Sequence, residues 1–325
     1  RLHSLIYERI KLIMAYTTVN KSTDYFNTKL YTGNSGTQSI TGVGFQPDLV
    51  WGKSRSGILY HILSDVVRGA TKRIFSNDVS AEETSANTIT SFDSDGFSVG
   101  SNADINGNSQ TQVAWNWKAN GAGSANTAGS ISSTVSANTT SGFSIVKYTG
   151  TGANATVGHG LGIAPKMLIL KDLSSTQAWS VYHKSMGYGS FIGLNSSAAS
   201  STSTTRFTAD PSSSVFSIGN NASGNGNGNN FIAYCFADVQ GFSKFGSYVG
   251  NSSTDGTFVY TGFKPAFVIL KRTDGADSWV MLDNKRNEFN VIDKQLITDG
   301  ENAETTLSQC DFLSNGFKLK IAGGL

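Results

Sequence analysis

The chain has 325 residues, 38% of them hydrophobic and 11% aromatic, and carries a net charge of only +2. Near-neutrality removes the field that nucleic acid or an anionic membrane surface would require, and no apolar run approaches the roughly 20 residues of a membrane span. Two cysteines, Cys235 and Cys310, supply neither a disulfide framework nor a zinc spacing.

Charged residues make up 15% of the chain, against about 25% in ordinary globular proteins. Gly, Ser, Thr and Asn fill the difference. That suits a β-rich protein whose hairpins need residues at positive φ.

Residues 1–24 read as an N-terminal arm. Within it Leu2, Leu5, Ile6, Ile10 and Ile13 fall at helical spacings. Two readings stand: a short amphipathic docking arm, or sequence upstream of a natural start at Met14. The segment lacks the apolar region of a secretory signal.

A first repeat, residues 25–123, opens on a strand ending Leu30-Tyr31-Thr32-Gly33 and passes into Pro47-Asp48-Leu49-Val50-Trp51-Gly52-Lys53. Proline is tolerated at a strand's first residue, where its missing N–H costs least. The apolar run behind it predicts a strand buried on both faces. Its lysine is expected to mark where the strand leaves the core for water. His61 to Arg73 is the least strand-like stretch and reads as holding a helical turn. Asp93-Ser94-Asp95-Gly96 turns into a short strand at Phe97-Ser98-Val99, and a polar loop leads to Val113-Ala114-Trp115-Asn116-Trp117, which alternates at strand period. Residues 124–141, almost without large apolar side chains, read as a Gly/Ser/Thr linker or an extended surface strand.

The second repeat, residues 142–243, keeps the order: a strand at Ile145-Val146-Lys147-Tyr148, the run Pro165 to Lys171, a strand at Trp179 to His183, one at Val215 to Ile218, a polar loop over 220–230, and Phe231 to Asp238. The third, residues 244–325, has Phe245-Gly246-Ser247-Tyr248-Val249-Gly250, Pro265 to Lys271, Trp279 to Asp283 and Gly316 to Leu319. There it falls one long strand short. An open sheet edge is an aggregation hazard, so the vacant position is expected to be filled by another chain or segment, unless the sequence is cut short.

About seven short strands per repeat, with no long helical period, predict an all-β fold of tandem antiparallel β-sandwiches, jelly-roll or lectin-like, the third lacking its last strand. Units this large imply beads or a fused cluster rather than a fine solenoid.

No catalytic, metal or cofactor site is predicted, and ligand-binding residues are left unassigned. Trp115 and Trp117, and Trp179 with its counterpart Trp279, sit in phase with apolar neighbours and read as core rather than as a glycan platform. His61, His159 and His183 have no partner at metal-ligand spacing. Asp104-Ile105-Asn106-Gly107-Asn108 resembles the start of a calcium loop without its distal carboxylate. Cys235 reads as a small buried thiol. Glu82-Glu83 and Asp93/Asp95 lie on loops, and no nucleophile elbow, phosphate loop or zinc-protease motif occurs.

Taken together, Met14-Ala15-Tyr16-Thr17-Thr18, Tyr25 to Gly33, Gly44 to Trp51, Gly158 to Lys166, Gly246 to Asn251 and Tyr260 to Val268 resemble an uncharacterised repeat family of tailed-bacteriophage virion proteins, common in marine phages. Its members are usually labelled tail-fibre-like or lectin-like. The resemblance runs from Met14 to about Leu319 and implies a non-enzymatic virion structural protein, made in the host cytoplasm. A tail fibre or appendage for host attachment leads, a capsid decoration protein is the alternative, and a polysaccharide depolymerase is weaker. Implied partners are other virion proteins, further copies of the chain (a trimer favoured) and a host-surface glycan, with no nucleic acid and no membrane insertion. The motifs are strand and turn signatures, so no site residue carries over.

Overall fold

Period-two alternation sets the architecture, because successive residues of a strand face opposite sides. In the computed structural model, which describes residues 16–323, Leu49–Ser54 and Met167–Asp172 are buried at every position. The possible arm at residues 1–13 lies outside the described residues. Every ladder between the strands is antiparallel, and the fold is all-β with two single-turn helices at Ala103–Asn106 and Ala222–Asn225.

Each of the first two repeats is a sandwich. In the first, a six-stranded sheet runs Phe26–Thr32, Thr111–Trp117, Leu49–Ser54, Ile62–Asp65, Lys72–Phe75, Glu83–Thr84. A three-stranded sheet of Gln38–Thr41, Gly96–Val99 and Ile89–Asp93 covers it. Val50, Ile62 and Ala114 meet Ile40, Phe97 and Val99 between the layers. The second repeat builds the same pair around Phe143–Thr149, Asn230–Phe236, Met167–Asp172 and Ser180–His183. We call the four positions the opening, closing, proline and follower strands. The closing strand lies between opening and proline strands, with Trp51 opposite Trp115 and Ile169 opposite Tyr234.

In the third repeat the proline strand Phe267–Leu270 is the last strand of its sheet, paired only with the follower Val280–Asp283. No closing strand follows Leu319 among the described residues. The expected opening strand at 245–250 does not form. In the first unit the opening strand's only ladder is to the closing strand, and here that partner is not among the described residues.

Two further expectations are corrected and one is met. Of the two readings of residues 124–141, linker and extended strand, the strand holds: Ser124–Asn126 and Ser133–Asn138 add to the second repeat's opening strand. Their small side chains hide the strand from a hydrophobicity reading, yet Ser133, Val135 and Ser136 are buried. The stretch from His61 to Arg73 holds the expected helical turn, closed by the Gly69 amide on the Asp65 carbonyl at 3.0 Å, between the strand Ile62–Asp65 and the start of Lys72–Phe75. Two of the three repeat lysines do not reach water: Lys53 and Lys171 are fully buried, and only Lys271 is half-buried.

The units form a fused cluster. The outward faces of their large sheets converge on one core containing Trp51, Trp115, Ile169, Trp179, Trp279 and Met281. Three smaller cores lie within the individual units.

Candidate functional site

The buried lysines are the junctions between units. Lys53 Nζ donates to Ser54 O at 2.8 Å and Gly57 O at 3.1 Å in its own unit, and to Glu301 O of the third unit at 3.1 Å. Lys171 Nζ donates to Asp172 O, Gln177 O and, in the first unit, Val79 O at 3.1 Å. Lys271 Nζ donates to Arg272 O, Asp277 O and, in the second unit, Ser197 O at 3.0 Å. An ammonium group has three N–H donors and no acceptor, so three carbonyls satisfy it fully. Burial pulls the Lys53 and Lys171 ammonium groups down to about 8.

The same cyclic rule governs the residue eight places after each lysine. Trp179 Nε1 donates to Phe75 O and Trp279 Nε1 to Gly193 O, each at 2.9 Å, and His61 Nε2 lies 2.9 Å from Ile297 O. Trp51 Nε1 donates to His61 Nδ1 at 3.0 Å. His61 is therefore the Nε2–H tautomer, accepting from an indole and donating to a carbonyl. Burial, then the charge of Lys53, holds it well below its ordinary value of 6.5, so it is neutral. Backbone bonds complete the ring: Glu304 N to Arg55 O, Glu82 N to Leu173 O and Ser200 N to Thr273 O. First binds third, second binds first, and third binds second.

Buried ion pairs fix the follower strands against neighbouring closing strands. Asp65 holds Arg68 and accepts the Tyr234 hydroxyl at 2.8 Å. Asp283 holds Arg286 at 2.6 Å and accepts Trp115 Nε1 at 3.1 Å. The second unit has His183 and Met186 at those positions, and both line a groove of about 1100 Å³. The groove runs along the free edge of Phe267–Leu270, with Trp117, Phe236, Phe245 and Tyr248 among its walls. Phe267, Val268 and Ile269 are half-exposed, where the equivalent residues of the other units are buried. This groove is the candidate functional site.

The residues weighed in the sequence fall elsewhere or into structural bonds. Trp115, Trp179 and Trp279 are interior, and Trp117 packs on Phe26 and Phe267 at the groove floor. His159 is buried, its Nε2 3.2 Å from Ser212 O. Asp104 stands in a single helical turn, 3.6 Å from Arg73. Glu82 pairs with Arg68 and Glu83 with Arg73. Asp93 accepts from Ser91 and Ser98. Asp95 accepts the Gly42 and Gly44 amides, which lower its pKa. Among the described residues no three metal-ligating side chains come together. Cys235 and Cys310 are buried free thiols, both pushed up to about 12 by burial.

The polar loops held a feature that the sequence reading missed. Asn106 and Asn225, each at the end of a helical turn, are fully buried hubs. Asn106 Nδ2 donates to Gly36 O and Gly100 O, and Asn225 Nδ2 to Ala153 O and Gly219 O. The recurring Asn-Gly six residues after a strand-ending glycine was the available signal.

Residues 21–324 match the family described as a domain of unknown function, DUF7483, and the chain belongs to that family. No curated protein and no solved structure matches it.

Proposed function

We propose that this member of the family is a non-enzymatic structural protein of a phage particle, acting as a tail-fibre or appendage module in host attachment. The observation that carries the reading is the cyclic interlock of the three units. Two sandwiches and a third, partial unit, joined first to third, second to first and third to second, make a single block from one chain. Its tryptophans Trp51, Trp115, Trp179 and Trp279 and its buried charges hold that block together. Short polar loops of low charge remain on the outside, where weak contacts gain strength from copy number. The sequence resemblance to virion proteins points the same way.

A second reading, capsid decoration, is favoured by the aromatic side chains that the third unit exposes, Phe258, Tyr260 and Phe289, which suit docking to another particle protein. Labelling intact particles with an antibody to this chain separates the two. Label at the tail tip, with binding of the isolated protein to host cells, supports attachment. Label over the head, with binding to empty capsids, replaces it with decoration.

A further inference from the structure

We propose that His61 is an acid-sensitive latch, whose protonation parts the first unit from the third while the other two junctions hold. The three junctions share one plan and differ in one pair of residues. Trp51 and His61, Ile169 and Trp179, and Ile269 and Trp279 are each ten places apart. In the second and third units the indole itself crosses the junction, donating to Phe75 O and Gly193 O. In the first unit the indole stays within its own unit and donates to His61 Nδ1, and the imidazole carries the bond on to Ile297 O. An indole only donates, whereas an imidazole takes up a proton near neutral pH. Of the three pairs, only the first titrates there.

The relay works only while the imidazole is neutral. A second ring proton would sit on Nδ1, where the Trp51 N–H already points. Two donors would then face each other across 3.0 Å, and a buried indole would lose its acceptor. The ring is fully buried, and the His61 amide is tied to Asn77 Oδ1 at 3.0 Å. The charges acting on the ring are Lys53, from the first unit's proline strand, and Arg286, from the third unit, and both are cations. Asp283 and Glu304 are already paired with Arg286, and Glu304 also with Arg55 across the same junction. Asp104 and Glu301 act on Lys53. No carboxylate hydrogen-bonds the imidazole, so nothing at its edge offsets the added charge.

Water is what the protonated ring lacks, and parting the junction supplies it. The interiors of the first and third units are separate clusters, so each unit keeps its own when the junction parts. In the parted form the imidazole accepts a proton near its ordinary 6.5, and in the closed form it stays neutral. Below 6.5 the parted form therefore holds the extra proton, and each further pH unit favours it about tenfold. Lys53 keeps its charge in both forms there, since burial lowers it only to about 8.

Amide hydrogen exchange of the whole chain between about pH 7 and 5, corrected for the intrinsic rate at each pH, tests the latch. The Leu59 and Glu304 amides bond across the first–third junction, to Glu301 O and Arg55 O, and the Glu82 and Ser200 amides bond across the other two. Over one pH unit below about 6.5, protection at Leu59 and Glu304 should fall about tenfold, with Glu82 and Ser200 unchanged. His61→Gln should abolish the fall. Trp51→Ile combined with His61→Trp copies the second unit's pair and should abolish it too, which keeps the test open if the glutamine variant does not fold. A fall shared equally by all four amides would mean that the units come apart together, and overturns the latch. So does a fall that persists in these variants, or protection at Leu59 and Glu304 that does not change with pH.

Discussion

Lys171 of the second unit donates to the carbonyl of Val79 in the first, 92 residues away in sequence, at 3.1 Å. The same carbonyl accepts the Gln177 amide at 3.0 Å. One lysine thus ties its own strand end, its own following loop and a neighbouring unit to a single point. The equivalent bonds of Lys53 and Lys271 close the ring.

Replacing Lys171 with methionine keeps the apolar stem and removes three donors from buried carbonyls. A cost of about 3 kcal/mol or more is expected, read as a lowered midpoint in denaturant unfolding. Lys53→Met should cost about as much. Lys271→Met should cost less, because Lys271 is partly open to water. Lys171→Arg should not rescue stability, since a planar fork does not fit three converging carbonyls.

His61 makes stability depend on pH. An exposed imidazole takes a proton near 6.5, whereas the folded protein holds this one neutral to a far lower pH. Between those values the unfolded chain binds the extra proton, so stability falls as pH is lowered through 6.5, by at most about 1.4 kcal/mol per pH unit for one group. Glutamine at 61 can still accept from Trp51 and donate to Ile297 but does not titrate. His61→Gln should lower stability modestly at pH 7 and flatten the decline between pH 6.5 and 5. Thermal unfolding across that range checks it, and an unchanged slope would assign the decline to His159 or His183.

The proline motif and its thrice-repeated spacing were legible in the sequence because strand periodicity is local. The lysine's destination was not, because alternation reports which face of its own sheet a residue occupies, and the acceptors of Lys53 and Lys171 include carbonyls of another unit. The kinship of His61 with Trp179 and Trp279 was equally hidden. Residue type differs, and only the constant distance of eight from the lysine carries the signal. The groove was half legible: that the given residues stop before a third closing strand could be counted, while the loss of the opening strand beside it needed the ladder to be seen. Residues 124–141 left linker and strand both open because serine and alanine pair through backbone groups that composition does not register.

A size exchange between units gives a third prediction. In the first unit Gly52 on the strand packs against Ile105 of the helical turn, 2.6 Å from where a Cβ would stand. In the second unit the sizes are reversed, with Leu170 on the strand and Gly224 in the turn. Gly224→Ile should overpack the site at about 1–3 kcal/mol, and Leu170→Gly should cost more by leaving a cavity. Combined, the two copy the first unit's arrangement, so the double variant should be more stable than the sum of single losses predicts, by about 1 kcal/mol or more. Strict additivity would show that the two positions do not share one volume.

The last prediction concerns Asp283, whose carboxylate is fully buried between Arg286 and the Trp115 indole of the first unit. Arg286 also reaches Met281 O at 2.8 Å and lies 5.4 Å over the Trp115 ring. Asp283→Asn keeps the shape and the acceptor for the indole but leaves a guanidinium in the interior without its nearest countercharge. That should cost about 3–5 kcal/mol. Removing both charges with Asp283→Leu and Arg286→Met should cost less than Asp283→Asn alone, because no buried charge is then unpaired. Because Asp283 belongs to the third unit and Trp115 to the first, the loss should also loosen the junction between them. Amide exchange around Trp115 should therefore quicken in Asp283→Asn, while the Asp65–Tyr234 contact, on a different junction, stays protected. Quickening confined to residues 280–286 would make the pair a prop for its own turn and not a clasp between units.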